Sequence, residues 1–255
     1  MAMTPHVLVV AGTDSSGGAG LSRDVETIAA FGLRTSVAVT AVTVQTDEAV
    51  ERIEQMPPDL IAAQMRAALA ASPVAAIKIG MLGTTAAVEA VASVLASYPQ
   101  VPLVLDPVLA STSGRALMDS DAIDALKRQL IPLCSLVTPN LHELALLSAS
   151  PPALDEVEII RQGQALIDAG ATAVLVKGGH ATGENSADIL LRPDRAPMRF
   201  EAPRIAATMR GTGCMLASAI SAHLACGETL ESSVRDAKHY VLERLRASAP
   251  PRLER

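Results

Sequence analysis

Two glycines and a cysteine near the C-terminus form the stretch of this sequence that is best suited to chemistry on an anion. Arg210-Gly211-Thr212-Gly213-Cys214 runs directly into a small, apolar segment, 215–225, that predicts a helix. Glycine permits a tight turn, and the first amide N–H groups of a helix have no partner within it. With the helix dipole they favour a phosphoryl group and stabilise the charge that develops during its transfer. The alternative is a glycine-rich turn before a buried helix, with Cys214 as a packing residue.

A second glycine-rich segment, 12–20, follows the apolar run 7–11 and precedes a predicted helix, 21–31. An apolar run ended by glycine is typical of a buried parallel strand, and a glycine-rich loop after the first strand suggests a ligand site. Gly18-Ala19 stands where a Walker A loop needs Lys-Ser/Thr, which argues against that motif.

Gln45 follows the next predicted strand, 35–44, at the position where a dinucleotide-binding fold would need an acidic residue. A dinucleotide fingerprint is therefore disfavoured. The amide of Gln45 offers both a donor and an acceptor, which suits the edge of a heterocycle. The alternative is a surface loop amide.

Charged side chains stand at the ends of two further predicted strands. Asp106 follows the run 101–105, and Lys177 closes the run 173–177 before two glycines. Open α/β sheets bind ligands at the carboxyl edge, where these residues lie. Asp106 could face a metal–nucleotide complex or cap the following turn. Lys177 could reach a phosphate or be a solvated surface lysine.

Asn140 and Glu143 follow the predicted strand 135–137, three positions apart at the start of a helix. That spacing places them on one face, where they could hold a hydrated Mg²⁺ through its waters. The same spacing predicts a capping box, and the two interpretations are compatible.

The remaining pattern alternates strands and helices, which predicts an α/β fold. The runs 188–191 and 198–202 flank the turn 192–195 without an intervening helix, so we expect an antiparallel edge hairpin. No repeat or shift in composition divides the chain, and we expect one domain over residues 1–255. The other predicted elements are helices at 56–72, 84–97, 119–129, 156–169 and 230–247 and a strand at 76–79.

The composition points to a small-molecule partner. A net charge of −6 without a basic run argues against nucleic-acid binding, because phosphate neutralisation needs clustered Lys and Arg. The three cysteines lack C-x-x-C spacing, so neither a disulfide framework nor a zinc site is expected. The apolar run 7–11 is too short for a signal peptide or a membrane span, and we expect a cytoplasmic protein.

Taken in chain order, these motifs resemble the hydroxymethylpyrimidine and hydroxymethylpyrimidine phosphate kinases of thiamine biosynthesis. The likeness covers nearly the whole chain. It implies a ribokinase-like fold: a three-layer α/β/α sandwich with a mainly parallel sheet, ATP at its carboxyl edge and a small flap over the substrate. The motifs are Ala11–Gly20, Lys78–Leu82, Leu105–Val108, Thr138–Asn140 with Glu143, Val176–His180 and Gly211–Cys214.

The resemblance also implies residue roles. Gly12, Asp24, Gln45 and Met81 would line the pyrimidine pocket, with Gln45 paired to the aminopyrimidine edge. The site would use ATP and Mg²⁺. The metal would act through Asn140 and Glu143 with Asp106 nearby, Lys177 would contact the nucleotide phosphates, and Gly211, Thr212, Gly213 and Cys214 would form the anion hole.

Cys214 stands where most ribokinase relatives carry an aspartate that accepts the hydroxyl proton, and a cysteine is characteristic of the pyrimidine kinases. A thiol is mostly protonated at neutral pH, so Cys214 would need a lower pKa to serve as the base, and the helix N-terminus offers that effect. The alternative is that a weak base suffices, because phosphoryl transfer relies mainly on positioning and charge stabilisation. Two positions depart from the family pattern. Arg210 replaces a histidine, and the loop 110–114 lacks a lysine. We hypothesise that Arg210 supplies a fixed positive charge to the nucleotide.

The leading interpretation is an ATP-dependent kinase that phosphorylates 4-amino-5-hydroxymethyl-2-methylpyrimidine and then its monophosphate. The alternatives are a pyridoxal kinase of the same fold, a non-catalytic pyrimidine or nucleotide sensor, and, disfavoured by the loop 12–20, a dehydrogenase. We expect a homodimer, because dimers are common among relatives and the antiparallel strands offer an edge that could pair.

Overall fold

A computed structural model describes residues 4–111, 114–179 and 184–249. His180 and residues 112–113 of the loop 110–114 lie outside these ranges.

The described residues form ten strands, and all but β3 and β4 join one sheet. Within the described residues its order is β10-β9-β8-β7-β6-β5-β1-β2. From β2 to β8 the neighbouring strands pair in parallel, while β9 pairs antiparallel with both β8 and β10. The expected antiparallel edge hairpin is thereby confirmed. The strands are β1 (His6–Ala11), β2 (Arg34–Val39), β3 (Ala41–Gln45), β4 (Val50–Gln55), β5 (Val74–Ile79), β6 (Leu103–Leu105), β7 (Leu136–Val137), β8 (Val174–Val176), β9 (Asn185–Leu191) and β10 (Met198–Pro203).

Several helices begin where a Thr, Asp or Asn side chain accepts a backbone N–H of the first turn, as at Thr84, Asp119, Asp155 and Thr229. Among the described residues, none of the helices combines the length and the apolar character needed to span a bilayer. The helices are α1 (Gly20–Ala30), α2 (Pro58–Ala71), α3 (Thr85–Leu95), α4 (Ser120–Ala125, followed by a π-helical turn at Leu126–Leu130 and a 3-10 turn at Ile131–Leu133), α5 (Leu141–Leu147), α6 (Glu156–Asp168), α7 (Thr212–Ala225) and α8 (Leu230–Ser248).

Alternate side chains of the buried strands point to opposite helix layers. In β1, Leu8 and Val10 pack with residues of α2 and α3, while Val7 and Val9 pack with α1. Val104 of β6 packs against α7 and α8 on the same side as α1. Because both faces of the sheet are covered, its central strands β1, β6, β7 and β8 are almost entirely apolar. The expected three-layer α/β/α sandwich with a mainly parallel sheet is confirmed.

The expectation of one strand over 35–44 is wrong, because the chain leaves the sheet at Thr40. The Thr40 N–H donates to the Ala11 carbonyl at 3.0 Å, and its hydroxyl donates to the Met81 carbonyl at 2.6 Å. Beyond this point β3 pairs with β4 in a separate two-stranded antiparallel sheet. We call residues 41–55 the flap. Val, Ala, Thr and Ser make up all of residues 35–44, across both β2 and β3, so the sequence pattern does not reveal that the strand is interrupted at Thr40.

Candidate active site

A cavity of about 1070 Å³ opens at the carboxyl edge of the sheet. The strand order changes direction on either side of β1, so Gly12 after β1 and Met81 after β5 flank the crevice where open α/β sheets bind ligands. The cavity brings together most of the predicted site residues. Those in its wall are Gly12, Gln45, Met81, Asp106, Asn140, Glu143, Lys177, Arg210, Gly211, Thr212, Gly213 and Cys214.

Asp24 is the exception, and its placement in the wall of the pyrimidine pocket is corrected. Its side chain has no exposed surface and lies beneath the cavity. One carboxylate oxygen accepts from Lys78 Nζ at 2.8 Å and the other from the Ser218 hydroxyl at 2.7 Å. A buried carboxylate needs such partners, so Asp24 serves Lys78 rather than a ligand.

The first turn of α7 presents free amides to the cavity. Its first i→i−4 bond runs from the Met215 N–H to the Gly211 carbonyl, which leaves the amides of 212–214 without helical partners. Gly211 has a φ of +72°, and a Cβ there would lie 2.5 Å from the Gly18 carbonyl oxygen. Glycine is therefore required at this turn by both conformation and space.

Lys177 lies between two carboxylates opposite this helix end. Its Nζ is 2.6 Å from Asp106 Oδ1 and 3.9 Å from Glu143 Oε2. Burial acts to lower the pKa of Lys177, but the two carboxylates outweigh it and raise that pKa above its usual value. Burial also acts to raise the pKa of Asp106, and Lys177 and Lys78 outweigh it and lower that pKa. Lys177 and Asp106 are thus both charged at neutral pH.

Gly213 keeps space beside this charge cluster. A Cβ at Gly213 would lie 3.2 Å from Lys177 Nζ and 3.8 Å from Asp106 Oδ2. The missing side chain leaves a cradle between a lysine ammonium and the positive end of a helix, the environment that an anion favours.

Asn140 and Glu143 form the predicted capping box. The Glu143 N–H donates to Asn140 Oδ1 at 2.9 Å, and the Asn140 N–H donates to Glu143 Oε2 at 2.8 Å. Burial raises the pKa of Glu143 to about 7, while the charge of Lys177 opposes this shift. Amide and carboxylate oxygens already engaged by backbone N–H groups are suited to contacts through water, and Mg²⁺ retains several waters in protein sites. The donor set therefore fits a hydrated Mg²⁺.

Gln45 is held at the mouth of the cavity by the loop 12–20. The Gln45 N–H donates to the Ser15 hydroxyl at 2.7 Å, and that hydroxyl lies 2.8 Å from the Gln45 carbonyl. Its side-chain oxygen lies 3.4 Å from the Thr43 hydroxyl, a weak contact that leaves the amide available. On the floor, a Cβ on Gly12 would lie 3.4 Å from Met81 Sδ, so glycine keeps this part of the pocket wide.

Cys214 does not have the acidity that we expected from its helical position. Burial raises the pKa of its thiol to about 11, while the charge of Lys78 opposes this. The thiol is therefore protonated at neutral pH. The helix end is correctly placed, but desolvation of the thiolate outweighs its effect.

Arg210 contacts protein groups in this structure. Its guanidinium lies 3.1 Å from Asp14 Oδ2 and 2.8 Å from Asp47 Oδ1. The hypothesis that it contacts the nucleotide stays a prediction.

Lys78 is a charged residue of the cavity to which sequence reasoning assigned no role. It lines the cavity floor although its side chain has no solvent-exposed surface. The available signal was a lysine inside the apolar strand 74–79, since a lysine is almost never buried without a partner.

Comparisons with known proteins agree with this geometry. A sequence model of the phosphomethylpyrimidine kinase family matches residues 14–253. A hydroxymethylpyrimidine/phosphomethylpyrimidine kinase of Rhizobium meliloti is 41% identical over 253 residues, which is 99% of this chain and 94% of the relative. The crystal structure of a phosphomethylpyrimidine kinase from Clostridium difficile is 31% identical with a TM-score of 0.82, covering 95% of this chain and 99% of its own. A pyridoxal kinase from Bacillus subtilis, solved as an ADP complex, is 26% identical with a TM-score of 0.90, covering 98% and 94%.

Proposed function

The chain belongs to the phosphomethylpyrimidine kinase family, and we propose that it transfers the γ-phosphoryl group of ATP to 4-amino-5-hydroxymethyl-2-methylpyrimidine. A second transfer, to the resulting monophosphate, gives the diphosphate used in thiamine biosynthesis. One observation carries this proposal. The pocket of Gly12, Gln45 and Met81 and the anion cradle of Lys177 and Gly213 belong to one cavity.

The cavity is large enough for both substrates, since ligand sites of roughly 300–1,000 Å³ enclose drug-sized molecules. We place the pyrimidine between Gly12, Met81 and the flap. Gln45 can donate to a ring nitrogen and accept from the 4-amino group, so its amide matches both functions of an aminopyrimidine edge.

The nucleotide phosphates belong on the opposite side, between Lys177 and α7. Lys177 is held in place by Asp106, and the amides of 212–214 face the same space. Groups fixed in this way stabilise the charge on the equatorial oxygens without reorganising during the reaction. Solved pyridoxal kinases of this fold that contain ADP or AMP-PCP support the use of a nucleotide by this chain.

Mg²⁺ would be held through its waters by Asn140 and Glu143, with Asp106 nearby, and would supply charge neutralisation for the phosphates. Asp106 and Lys177 carry opposite charges at neutral pH and lie 2.6 Å apart, so each offsets the charge of the other.

Cys214 would contact the attacking hydroxyl. Its protonated thiol orients that hydroxyl by hydrogen bonding rather than removing its proton beforehand. As the new P–O bond forms, the bond between the γ-phosphorus and the β-phosphate oxygen breaks, ADP leaves, and the hydroxyl proton passes to an oxygen of the transferred group. Phosphoryl transfer depends mainly on positioning and charge stabilisation, so a strong base is not required.

We further propose a cytoplasmic homodimer. All three cysteines are free, as is usual in a reducing compartment. Val37 of the edge strand β2 and Val42 and Val44 of the flap are each more than two-fifths exposed, which offers apolar surface to a second copy. Sedimentation velocity tests this assembly.

The proposed activity is tested by measuring kcat/KM with ATP and Mg²⁺ for the pyrimidine alcohol and for pyridoxal in parallel. We expect a strong preference for the pyrimidine. A preference for pyridoxal would replace the proposal with the vitamin B6 activity of the Bacillus subtilis neighbour.

A further inference from the structure

Arg210 connects three separate parts of the active site. Its Nη1 donates to the Ser16 hydroxyl at 2.7 Å, the Thr46 carbonyl at 3.1 Å and Asp47 Oδ1 at 2.8 Å. Its Nη2 donates to Asp14 Oδ2 at 3.1 Å. These partners lie in the loop 12–20 and at the tip of the flap, while Arg210 itself immediately precedes the first turn of α7.

The contacts to the loop 12–20 form the stronger half of this connection. Asp14 is only 5% exposed, and its other carboxylate oxygen accepts from the Ser16 N–H at 2.9 Å and the Ser16 hydroxyl at 2.8 Å. Ser16 therefore holds the Asp14 carboxylate in place independently of Arg210. Only 17% of the Arg210 side chain is exposed, so its charged hydrogen bonds are shielded from water.

The contacts to the flap are individually weaker but are directed by the same planar guanidinium. The Asp47 side chain is 79% exposed, and an ion pair in that setting contributes little alone. The Thr46 carbonyl adds a backbone contact one residue after Gln45. A guanidinium presents its donors in a rigid fork, so fixing one end on Asp14 also fixes the direction of the other.

We propose that Arg210 is a positioning residue for the acceptor pocket, the part of the cavity lined by Gly12, Gln45 and Met81. It holds the tip of the flap against the loop 12–20 and so fixes Gln45 over the pyrimidine. Two carboxylates, Asp14 and Asp47, already offset its charge, so the proposal assigns Arg210 to the acceptor pocket in place of the nucleotide contact predicted from the sequence. Because Arg210 adjoins Gly211, the same contacts join the anion cradle to the acceptor pocket.

This inference rests on the proposed function for its kinetic readout, but its structural readout needs no substrate. In Arg210→Ala, we expect amide hydrogen exchange to become faster across residues 41–55 and to remain unchanged in the central strands. With substrates, KM for the pyrimidine should rise about tenfold, the effect of losing roughly 1.4 kcal/mol of charged hydrogen bonding, while KM for ATP changes less than twofold.

Matched variants separate this connection from a general effect of removing charge. Arg52→Ala removes another arginine of the flap, one that is 72% exposed and pairs with Glu54, and it should leave exchange at the flap tip and both KM values unchanged. Asp47→Ala removes one contact to the flap and should shift KM for the pyrimidine in the same direction by a smaller factor. Arg210→Lys keeps the positive charge but lacks the planar guanidinium, so its hydrogen exchange and KM values should resemble those of Arg210→Ala. It replaces Arg210→Ala in these measurements if the alanine variant folds poorly.

Two results would overturn the proposal. One is a rise in KM for ATP with an unchanged KM for the pyrimidine, which would make Arg210 a nucleotide ligand. The other is unchanged hydrogen exchange over 41–55. If the pyrimidine is no substrate at all, the proposed function fails, while faster exchange would still support the role of Arg210 in fixing the flap.

Discussion

Lys78 and Asp24 form an ion pair 2.8 Å long in which neither side chain has any exposed surface. Burial acts to lower the pKa of Lys78, but its anionic neighbours, Asp24 foremost, outweigh this and raise it, so the lysine stays charged. The Ser218 hydroxyl completes the shell of Asp24. Lys78 lies on β5, Asp24 on α1 and Ser218 on α7, so these contacts join the three elements. Ser218 is one helical turn after Cys214, which places the joint beneath the reacting groups.

Breaking this pair on one side should destabilise the protein strongly. Lys78→Met leaves an uncompensated buried carboxylate, and we expect it to lower the free energy of unfolding by about 3–5 kcal/mol, measured by urea denaturation. Lys78→Met combined with Asp24→Leu removes both charges and should recover most of that loss. If the double variant is as unstable as the single one, the pair is not the dominant contribution at this position.

Gly213→Ala should impair nucleotide use without loss of stability. The new Cβ would crowd Lys177 Nζ at 3.2 Å, so we expect KM for ATP to rise and kcat to fall. Alanine is favoured over glycine within a helix by roughly 1 kcal/mol, so the thermal midpoint should not fall.

Gly163→Ala in α6 provides the contrasting control. Its Cβ would meet the Leu191 side chain at 2.2 Å in the core, so it should lower stability and leave KM for ATP unchanged. An unaltered KM for ATP in Gly213→Ala would contradict the anion cradle.

The pH dependence of kcat/KM for ATP should show an acid limb. Burial raises the pKa of Glu143 to about 7, and only the ionised carboxylate can hold a hydrated cation. Because kcat/KM reports the free enzyme, we expect it to increase as pH rises through about 7. In Glu143→Gln this limb should disappear along with most of the activity. A wild-type profile that is flat from about two pH units below the transition to about one unit above it would exclude Glu143 from this role.

The same shift affects stability in the opposite direction. The pKa of Glu143 is higher in the folded protein than its ordinary value of 4.5, so the folded state binds the proton more tightly. The resulting contribution to the free energy of unfolding is complete below pH 4.5 and is lost as pH rises through about 7. Glu143→Gln should remove this part of the pH dependence of stability, measured by thermal unfolding between pH 4.5 and about 7.

Cys214 variants test whether the thiol acts as a neutral group. With a pKa of about 11, we expect Cys214→Ser to retain kcat within about tenfold, because a hydroxyl hydrogen-bonds as a neutral thiol does, while Cys214→Ala loses about 100-fold. If the thiolate were required, serine would fall to the level of alanine. The wild-type kcat would then also rise about tenfold per pH unit below 11.

Much of this site could be predicted because strand ends are local signals. Asp106 and Lys177 each follow an apolar run directly, and parallel strands must bring such ends to one edge. Gly211 and Gly213 are also a local signal, because paired glycines before a helix predict a tight turn. The structure gives the spatial reason for glycine, since a Cβ would lie 2.5 Å from the Gly18 carbonyl oxygen at Gly211 and 3.2 Å from Lys177 Nζ at Gly213.

The remaining features depend on contacts between distant parts of the chain. Asp24 and Lys78 are 54 residues apart, and no local pattern shows that they pair beneath the cavity. The acidity of Cys214 depends on burial by surrounding elements. The partners of Arg210 in the loop 12–20 lie more than 190 positions away. The expectation that residues 1–255 form one domain stays a prediction.

The most direct test of the account is the mass of the product formed from the pyrimidine alcohol with excess ATP and Mg²⁺. If the acceptor pocket and the anion cradle serve one transfer site, the alcohol should gain one phosphoryl group and then a second, with one ADP released at each step. A mass that stays at that of the alcohol, while ATP is bound or hydrolysed, would contradict the proposed transfer.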